Sequence, residues 1–71
     1  MAEKVVAHIT GTVVRIEVEQ GAAVSPGQVV VILESMKMEL PVEAQVGGAV
    51  VEIKVVAGQP VAEGDLLVLL G

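Results

Sequence analysis

Apolar and polar residues alternate in two stretches of the chain, residues 14–19 and residues 51–55. The apolar positions are Val14, Ile16, Val18, Val51, Ile53 and Val55. A period of two residues is typical of a β-strand with one buried face and one solvent-exposed face. Two five-residue aliphatic runs, Val29 to Leu33 and Leu66 to Leu70, show no alternation. We expect these runs to form central strands that are buried on both faces.

An internal repeat with an offset of 37 residues organises the whole chain. The offset aligns residues 11–34 with residues 48–71 without a gap, and ten of these 24 positions are identical. Three of the matches are glycines at equal spacing, which chance similarity between two valine-rich segments would not produce. We interpret residues 1–71 as one domain of two half-repeats, about 5–34 and 42–71, that bury their apolar faces against each other. The prediction is an all-β flattened barrel or sandwich with approximate two-fold symmetry and essentially no helix.

The segment Ser35-Met36-Lys37 has no counterpart in the repeat and joins the two halves. It lies between one predicted strand and a second alternating stretch, residues 40–44, so a hairpin tip is the simplest geometry. Tight hairpins usually place Gly, Asn or Asp at positions of positive φ, and this segment contains none of them. Local rules are most often broken at functional sites. Because a tip projects its side chains into solvent, Lys37 is the best-presented amine of the chain.

Two interpretations of this lysine follow from its neighbours. In the first, Lys37 is an ordinary solvated lysine, and Met36 and Met38 pack into the edge of the core. In the second, the two flexible thioethers form an adaptable apolar collar of the kind used for recognition. A nucleophilic lysine requires burial or neighbouring cations, whereas Glu34 and Glu39 flank this one. The pattern therefore favours a modification site on which another protein acts.

Composition narrows the classes of partner and site. The 71 residues carry a net charge of −5 and include no aromatic residue and no Cys. We expect no nucleic-acid partner, because single-stranded binding uses aromatic stacking and duplex binding uses clustered Lys and Arg. No apolar run approaches the roughly 20 residues of a membrane-spanning helix, so we expect no membrane partner. The single histidine, His8, cannot supply a metal-ligand set or a Ser-His-Asp arrangement, so we expect no metal site and no catalytic residue.

The N-terminal residues show no basic stretch followed by an apolar segment of the kind that directs secretion. Together with the absence of Cys, this pattern predicts a cytoplasmic location, with the mitochondrial matrix as an alternative. We expect the chain to be a monomer in isolation.

The sequence Glu-Ser-Met-Lys-Met-Glu at residues 34–39 lies between two halves that each carry a G-x9-G-x5-G pattern. In these features, and over nearly its whole length, the chain resembles the biotinyl and lipoyl attachment domain family. The resemblance implies a flattened barrel-sandwich of two four-stranded antiparallel sheets, with a biotin joined by an amide to a lysine at a hairpin tip. The site residues that it implies are Lys37 for attachment, Met36 and Met38 for ligase recognition, and Glu34, Ser35 and Glu39 as the surround of the motif.

The resemblance also implies a non-catalytic carrier that shuttles a carboxyl group on a swinging arm. Its implied partners are a biotin protein ligase, a biotin carboxylase and a carboxyltransferase. Lipoyl domains tend to place an acidic residue before the lysine and a small residue after it, so Met36 and Met38 favour biotin. Ser35 replaces the alanine of most biotin domains, and a lipoyl carrier of acyl or aminomethyl groups is the alternative. A third hypothesis is an unmodified barrel-sandwich adaptor that only binds partners.

Overall fold

The computed structural model describes residues 2–71, which form eight β-strands and no helix. The strands are β1 (Glu3–Val6), β2 (Gly11–Ile16), β3 (Ala23–Val24), β4 (Val29–Ser35), β5 (Met38–Glu43), β6 (Gly48–Ile53), β7 (Pro60–Val61) and β8 (Leu66–Leu70). They build two four-stranded antiparallel sheets with the orders β1-β8-β6-β3 and β5-β4-β2-β7. The predicted all-β fold of two four-stranded sheets is confirmed. Nothing in residues 2–71 forms a helix long and apolar enough to cross a bilayer.

The 37-residue repeat relates one sheet to the other. Moving 37 positions along the chain takes β1, β2, β3 and β4 onto β5, β6, β7 and β8, and so converts one strand order into the other. The backbone hydrogen bonds between the two halves of the chain repeat in the same way. The amide of Ala7 donates to the carbonyl of Asp65 at 2.9 Å, and the amide of Ala44 donates to the carbonyl of Gln28 at 2.9 Å. The two halves therefore exchange equivalent contacts, as the predicted two-fold symmetry requires.

The core between the sheets is entirely aliphatic. Its fully buried large side chains come mainly from β4 and β8, and no polar or charged side chain in residues 2–71 is buried. These large side chains are Leu33, Leu67, Leu70, Val13, Val30, Val31, Val50 and Val68. Full burial of each such side chain contributes about 1.5–3 kcal/mol. Dense aliphatic packing therefore stabilises this small domain, which has no Cys for a disulfide.

A register shift in β6 corrects one part of the strand prediction. The pairing of β6 with β8 slips between Val50 and Glu52, which is the signature of a β-bulge. The bulge moves the inward position by one residue, so Val50 is 2% exposed and Val51 is 46% exposed. The prediction that Val51 lies on the buried face was wrong, because strict alternation does not anticipate an inserted residue.

The aliphatic runs form β4 and β8, which are interior strands of their sheets as predicted. Burial on both faces was not found, since Ile32 and Leu69 are only half-buried. A fold of two layers covers one face of each sheet and leaves the other face toward solvent. The outer face of the sheet that contains β4 is therefore exposed to solvent. The segment without a counterpart in the repeat, residues 35–37, lies at the end of β4.

Candidate functional site

The hairpin between β4 and β5 ends in a two-residue turn. Ser35 pairs with Met38, and between them Met36 and Lys37 have φ angles of 54° and 65°. Positive φ at both central residues is the pattern of a type I′ turn, whose twist matches that of the flanking strands. The structure thus places the lysine at the hairpin tip, where the sequence predicted it.

This turn adopts its conformation without the residues that usually favour it. Met36 and Lys37 are the two non-glycine residues of positive φ in the described chain, and the left-handed region costs about 1–2 kcal/mol for each residue that carries a Cβ. Such conformations persist only where the surrounding structure holds them. Here the β4–β5 ladder continues to the last pair, Ser35 and Met38, so the strands hold the turn.

The side chains of the tip project into solvent. Met36 is 88% exposed and Met38 is 60% exposed, and Lys37 is exposed as well. The Nζ atom of Lys37 forms no hydrogen bond or ion pair with any of residues 2–71. The alternative in which both thioethers pack into the edge of the core is therefore wrong. The amine stands free between two exposed apolar side chains.

Other amines of the chain are placed differently. The Nζ atom of Lys54 lies 3.0 Å from a carboxylate oxygen of Glu52, and its backbone amide donates to the carbonyl of Leu67. Lys4 lies within β1, a strand that pairs along its whole length with β8. Of these three lysines, Lys37 is the one on a turn that extends beyond the sheets.

Acidic side chains lie directly below the tip. Glu34 and Glu39 face each other as a pair on β4 and β5, an arrangement of like charges that destabilises a sheet. Arg15 on β2 partly offsets it, since its Nη1 atom is 3.7 Å from a carboxylate oxygen of Glu39 and its Nε atom contacts Glu17. All four side chains are exposed, so these ion pairs contribute little to stability. Arg15 was missed by the sequence reasoning, although its position on the polar face of a strand was visible.

The repeat offers an internal comparison for these charges. The exposed charged residues on the strands of this sheet or directly after them, with their counterparts 37 positions away, are Glu34 and Gly71, Glu39 and Ala2, Glu43 and Val6, Arg15 and Glu52, and Glu17 and Lys54. These four carboxylates and one guanidinium correspond to one carboxylate and one ammonium, and the other sheet also carries Glu3 and Lys4 on β1. The charges of the tip-bearing sheet therefore sum to −3, whereas those of the other sheet cancel. Because the two sheets share one backbone arrangement, the fold itself does not require this excess of negative charge.

The arrangement is suited to acylation by another enzyme. An exposed primary amine can enter the active site of a second protein, and no side chain of residues 2–71 forms a hydrogen bond or ion pair with Nζ through which it could act as a base. Residues 2–71 also contain no group of three or more side chains that could hold a metal ion. Ser35 is half-buried at the base of the turn, and Glu34 and Glu39 are exposed beside it. The structure thus brings all six predicted site residues together at one end of one hairpin.

The Biotin_lipoyl family, described as biotin-requiring enzymes, matches residues 1–70 of the chain. The biotinylated protein TB7.3 of Mycobacterium tuberculosis is 52% identical over 44 residues, which cover 62% of this chain and 62% of that protein. The match therefore spans less than two thirds of the length of this relative. The alpha3 subunit of a biotin-dependent acyl-coenzyme A carboxylase of Mycobacterium leprae is 50% identical over 42 residues, or 59% of this chain and 7% of the subunit.

Two solved structures are similar to the fold described above. The urea carboxylase of Kluyveromyces lactis matches with a TM-score of 0.94 and 32% identity, over 100% of this chain and 6% of that chain. The lipoyl domain of the 2-oxoglutarate dehydrogenase complex of Azotobacter vinelandii matches with a TM-score of 0.73 and 32% identity, over 87% of this chain and 78% of that chain. The architecture is thus similar to a part of a carboxylase and to a lipoyl domain.

Proposed function

This chain belongs to the Biotin_lipoyl family and is a carrier domain similar to those of biotin-dependent carboxylases, and on that premise we propose that it holds biotin on Lys37 and shuttles a carboxyl group between partner enzymes. The observation that carries the proposal is the exposed amine of Lys37 at the hairpin tip, with Met36 and Met38 beside it. The domain itself catalyses no step in this proposal.

Attachment depends on a biotin protein ligase that supplies an activated biotinyl group and a base. A bond forms between Nζ of Lys37 and the acyl carbon, the bond from that carbon to its leaving group breaks, and the ammonium loses two protons. Replacing the ammonium by a neutral amide changes the formal charge of the chain from −5 to −6, by loss of one positive charge. The ligase supplies the base in this proposal, since Nζ forms no hydrogen bond or ion pair with residues 2–71.

The residues of the tip fit a carrier. When bound, biotin supplies the ureido nitrogen to which the carboxyl group is attached. The exposed turn leaves the arm free to move, whereas the β4–β5 ladder holds the base of the arm in one place. Such an arm contributes proximity between two active sites. The proposed enzymes at those sites are a biotin carboxylase and a carboxyltransferase, toward which the domain presents the acidic surface formed by Glu34, Glu39 and Glu43.

A lipoyl carrier of acyl or aminomethyl groups is the second candidate. The similarity to the lipoyl domain and the serine at position 35 support it. Biotin is favoured by Met36 and Met38 and by the relatives named as biotinylated proteins. An unmodified adaptor is the third candidate. The single-domain organisation of residues 1–71, the monomeric state and the cytoplasmic location stay predictions.

Intact mass spectrometry tests the proposal. The full chain is incubated with ATP, a biotin protein ligase, a lipoate ligase and equal concentrations of biotin and lipoate. We expect one biotinyl adduct, located on Lys37 by peptide mapping, and no adduct on Lys37→Arg. The variant Lys54→Arg is the matched control and should be modified like the unaltered chain. A lipoyl adduct would support the second candidate, and an unchanged mass would leave the unmodified adaptor.

A further inference from the structure

Gly11 lies at the start of β2, beside the end of β4 from which the tip extends. A Cβ atom on Gly11 would be 2.4 Å from the carbonyl oxygen of Glu34 and 3.4 Å from Cβ of Ser35. The first distance is shorter than any that real Cβ atoms adopt, and the obstructing atom belongs to the backbone. A side chain at position 11 could therefore be accommodated only by moving the strands apart.

We infer that Gly11 is a positioning residue for the modification of Lys37. In this proposal, which rests on the proposed function, the missing side chain lets β2 pack closely against Glu34 and Ser35. That contact holds the base of the tip in the geometry that the ligase recognises. The residue acts through β4 and the turn and does not touch the amine.

The pairing of the strands supports transmission from Gly11 to the tip. Thr12, the next residue of β2, pairs with Glu34 on β4, and Ser35 pairs with Met38 across the turn. On its other side Gly11 pairs with Val61 of β7, so β2 cannot simply move away from β4. A displacement forced by a new Cβ would reach the end of β4, and the turn begins there.

The turn is sensitive to such a displacement. Met36 and Lys37 both hold positive φ angles that residues with side chains disfavour, so their conformation depends on the strand ends that hold them. If the end of β4 moves, the turn is free to relax toward other conformations. A ligase that binds the tip in one geometry would then acylate the lysine more slowly, since small misplacements of a reacting group cost large factors in rate.

The repeat provides a matched control in the other sheet. Gly48 is the counterpart of Gly11, and a Cβ there would be 3.0 Å from the carbonyl oxygen of Gly71 and 3.6 Å from Cβ of Leu70. The substitution Gly48→Ala thus adds the same methyl group at the equivalent strand end. It perturbs a strand that does not lead to Lys37.

The experiment compares Gly11→Ala, Gly48→Ala and the unaltered chain at a temperature at which circular dichroism shows all three to be folded. We expect kcat/KM of biotin ligation to fall about tenfold for Gly11→Ala, mainly through kcat, and to change less than twofold for Gly48→Ala. Acetylation of Lys37 by a small N-hydroxysuccinimide ester should proceed equally fast in all three proteins, because the amine stays exposed. The three-bond amide couplings of Met36 and Lys37, which report φ, should change in Gly11→Ala alone.

The outcomes separate this inference from the proposed function. If the unaltered chain is not acylated by the ligase, the proposed function fails. If it is acylated and Gly11→Ala is acylated as fast as Gly48→Ala, the inference about Gly11 is overturned. A third measurement needs no variant: nitrogen relaxation in the unaltered chain should give Met36 and Lys37 order parameters of about 0.85, as for rigid backbone. Values below about 0.6 would contradict a held turn even if Gly11→Ala does not fold.

Discussion

Replacing Met36 by Asn is expected to raise the stability of the domain. Met36 has a φ of 54°, and this left-handed region costs a residue with a Cβ about 1–2 kcal/mol. Asn enters the region more readily, because its short polar side chain forms local hydrogen bonds, and it is favoured in type I′ turns. Met36 is 88% exposed, so its removal sacrifices little buried apolar surface. The expected net gain is therefore about 1 kcal/mol in the free energy of unfolding.

The gain is measurable as a change in melting temperature. For a domain of this size, 1 kcal/mol corresponds to a rise in Tm of roughly 4–8 °C. Far-ultraviolet circular dichroism is the suitable assay, because the chain has no aromatic residue for fluorescence. Met38→Asn is the matched control, since it makes the same change on β5, where φ is not positive. That variant should melt slightly below the unaltered chain, because Asn is disfavoured in strands.

A Tm for Met36→Asn that equals or falls below that of the unaltered chain would refute the assignment of strain to the turn. The same variant should be a poorer substrate for the ligase, because the flexible thioether beside Lys37 is lost. A stabilised domain that is acylated more slowly would indicate that the tip retains a costly residue for recognition. An unchanged kcat/KM of ligation for Met36→Asn would show that the ligase does not recognise the side chain of Met36.

Three further predictions concern the site and the core. Lys37→Arg should abolish the mass adduct while moving Tm by less than about 3 °C, because exposed tip residues contribute little to stability, and an adduct that survives would place attachment elsewhere. Glu34→Lys should lower the kcat/KM of ligation at low salt, and the difference from the unaltered chain should shrink as ionic strength rises. Glu52→Lys on the other sheet is the control and should not lower it. Equal effects of the two substitutions would show that the acidic surface has no specific role in ligation. Leu33→Ala should lower the free energy of unfolding by about 3 kcal/mol in urea titration, and Val51→Ala by less than about 0.5 kcal/mol. Similar losses for the two would contradict the burial described above.

Which residues of a strand face the core could be predicted only in part from the sequence. The alternation at residues 51–55 correctly indicated a strand, yet it placed Val51 on the wrong face. The bulge that reverses Val51 arises in the pairing of β6 with β8, two segments whose partnership the alternation does not contain. Alternation of apolar and polar residues predicts that a strand exists. Which of its residues are buried depends on how it pairs with the neighbouring strand.

The candidate site shows the same division. The segment without a counterpart in the repeat, which also lacks the usual turn residues, was enough to locate the hairpin tip from the sequence. The charges near the tip were only partly visible, because Arg15 comes within 3.7 Å of Glu39 through the pairing of β2, β4 and β5. The role inferred for Gly11 was not visible at all, since it depends on a contact with Glu34 across the sheet.

The sequence by itself determined the all-β class, the two-fold repeat and the exposed lysine at the joint, because these follow from periodicity and from one segment without a copy. Only the tertiary structure decided which valines face the core, that both residues of the tip adopt positive φ, and that a glycine lies close against the strand below them. Each of these features depends on residues that are distant in the chain and adjacent in the sheets. The order of neighbouring residues is enough to indicate a strand, whereas register and close contacts between strands are decided only when the strands pair.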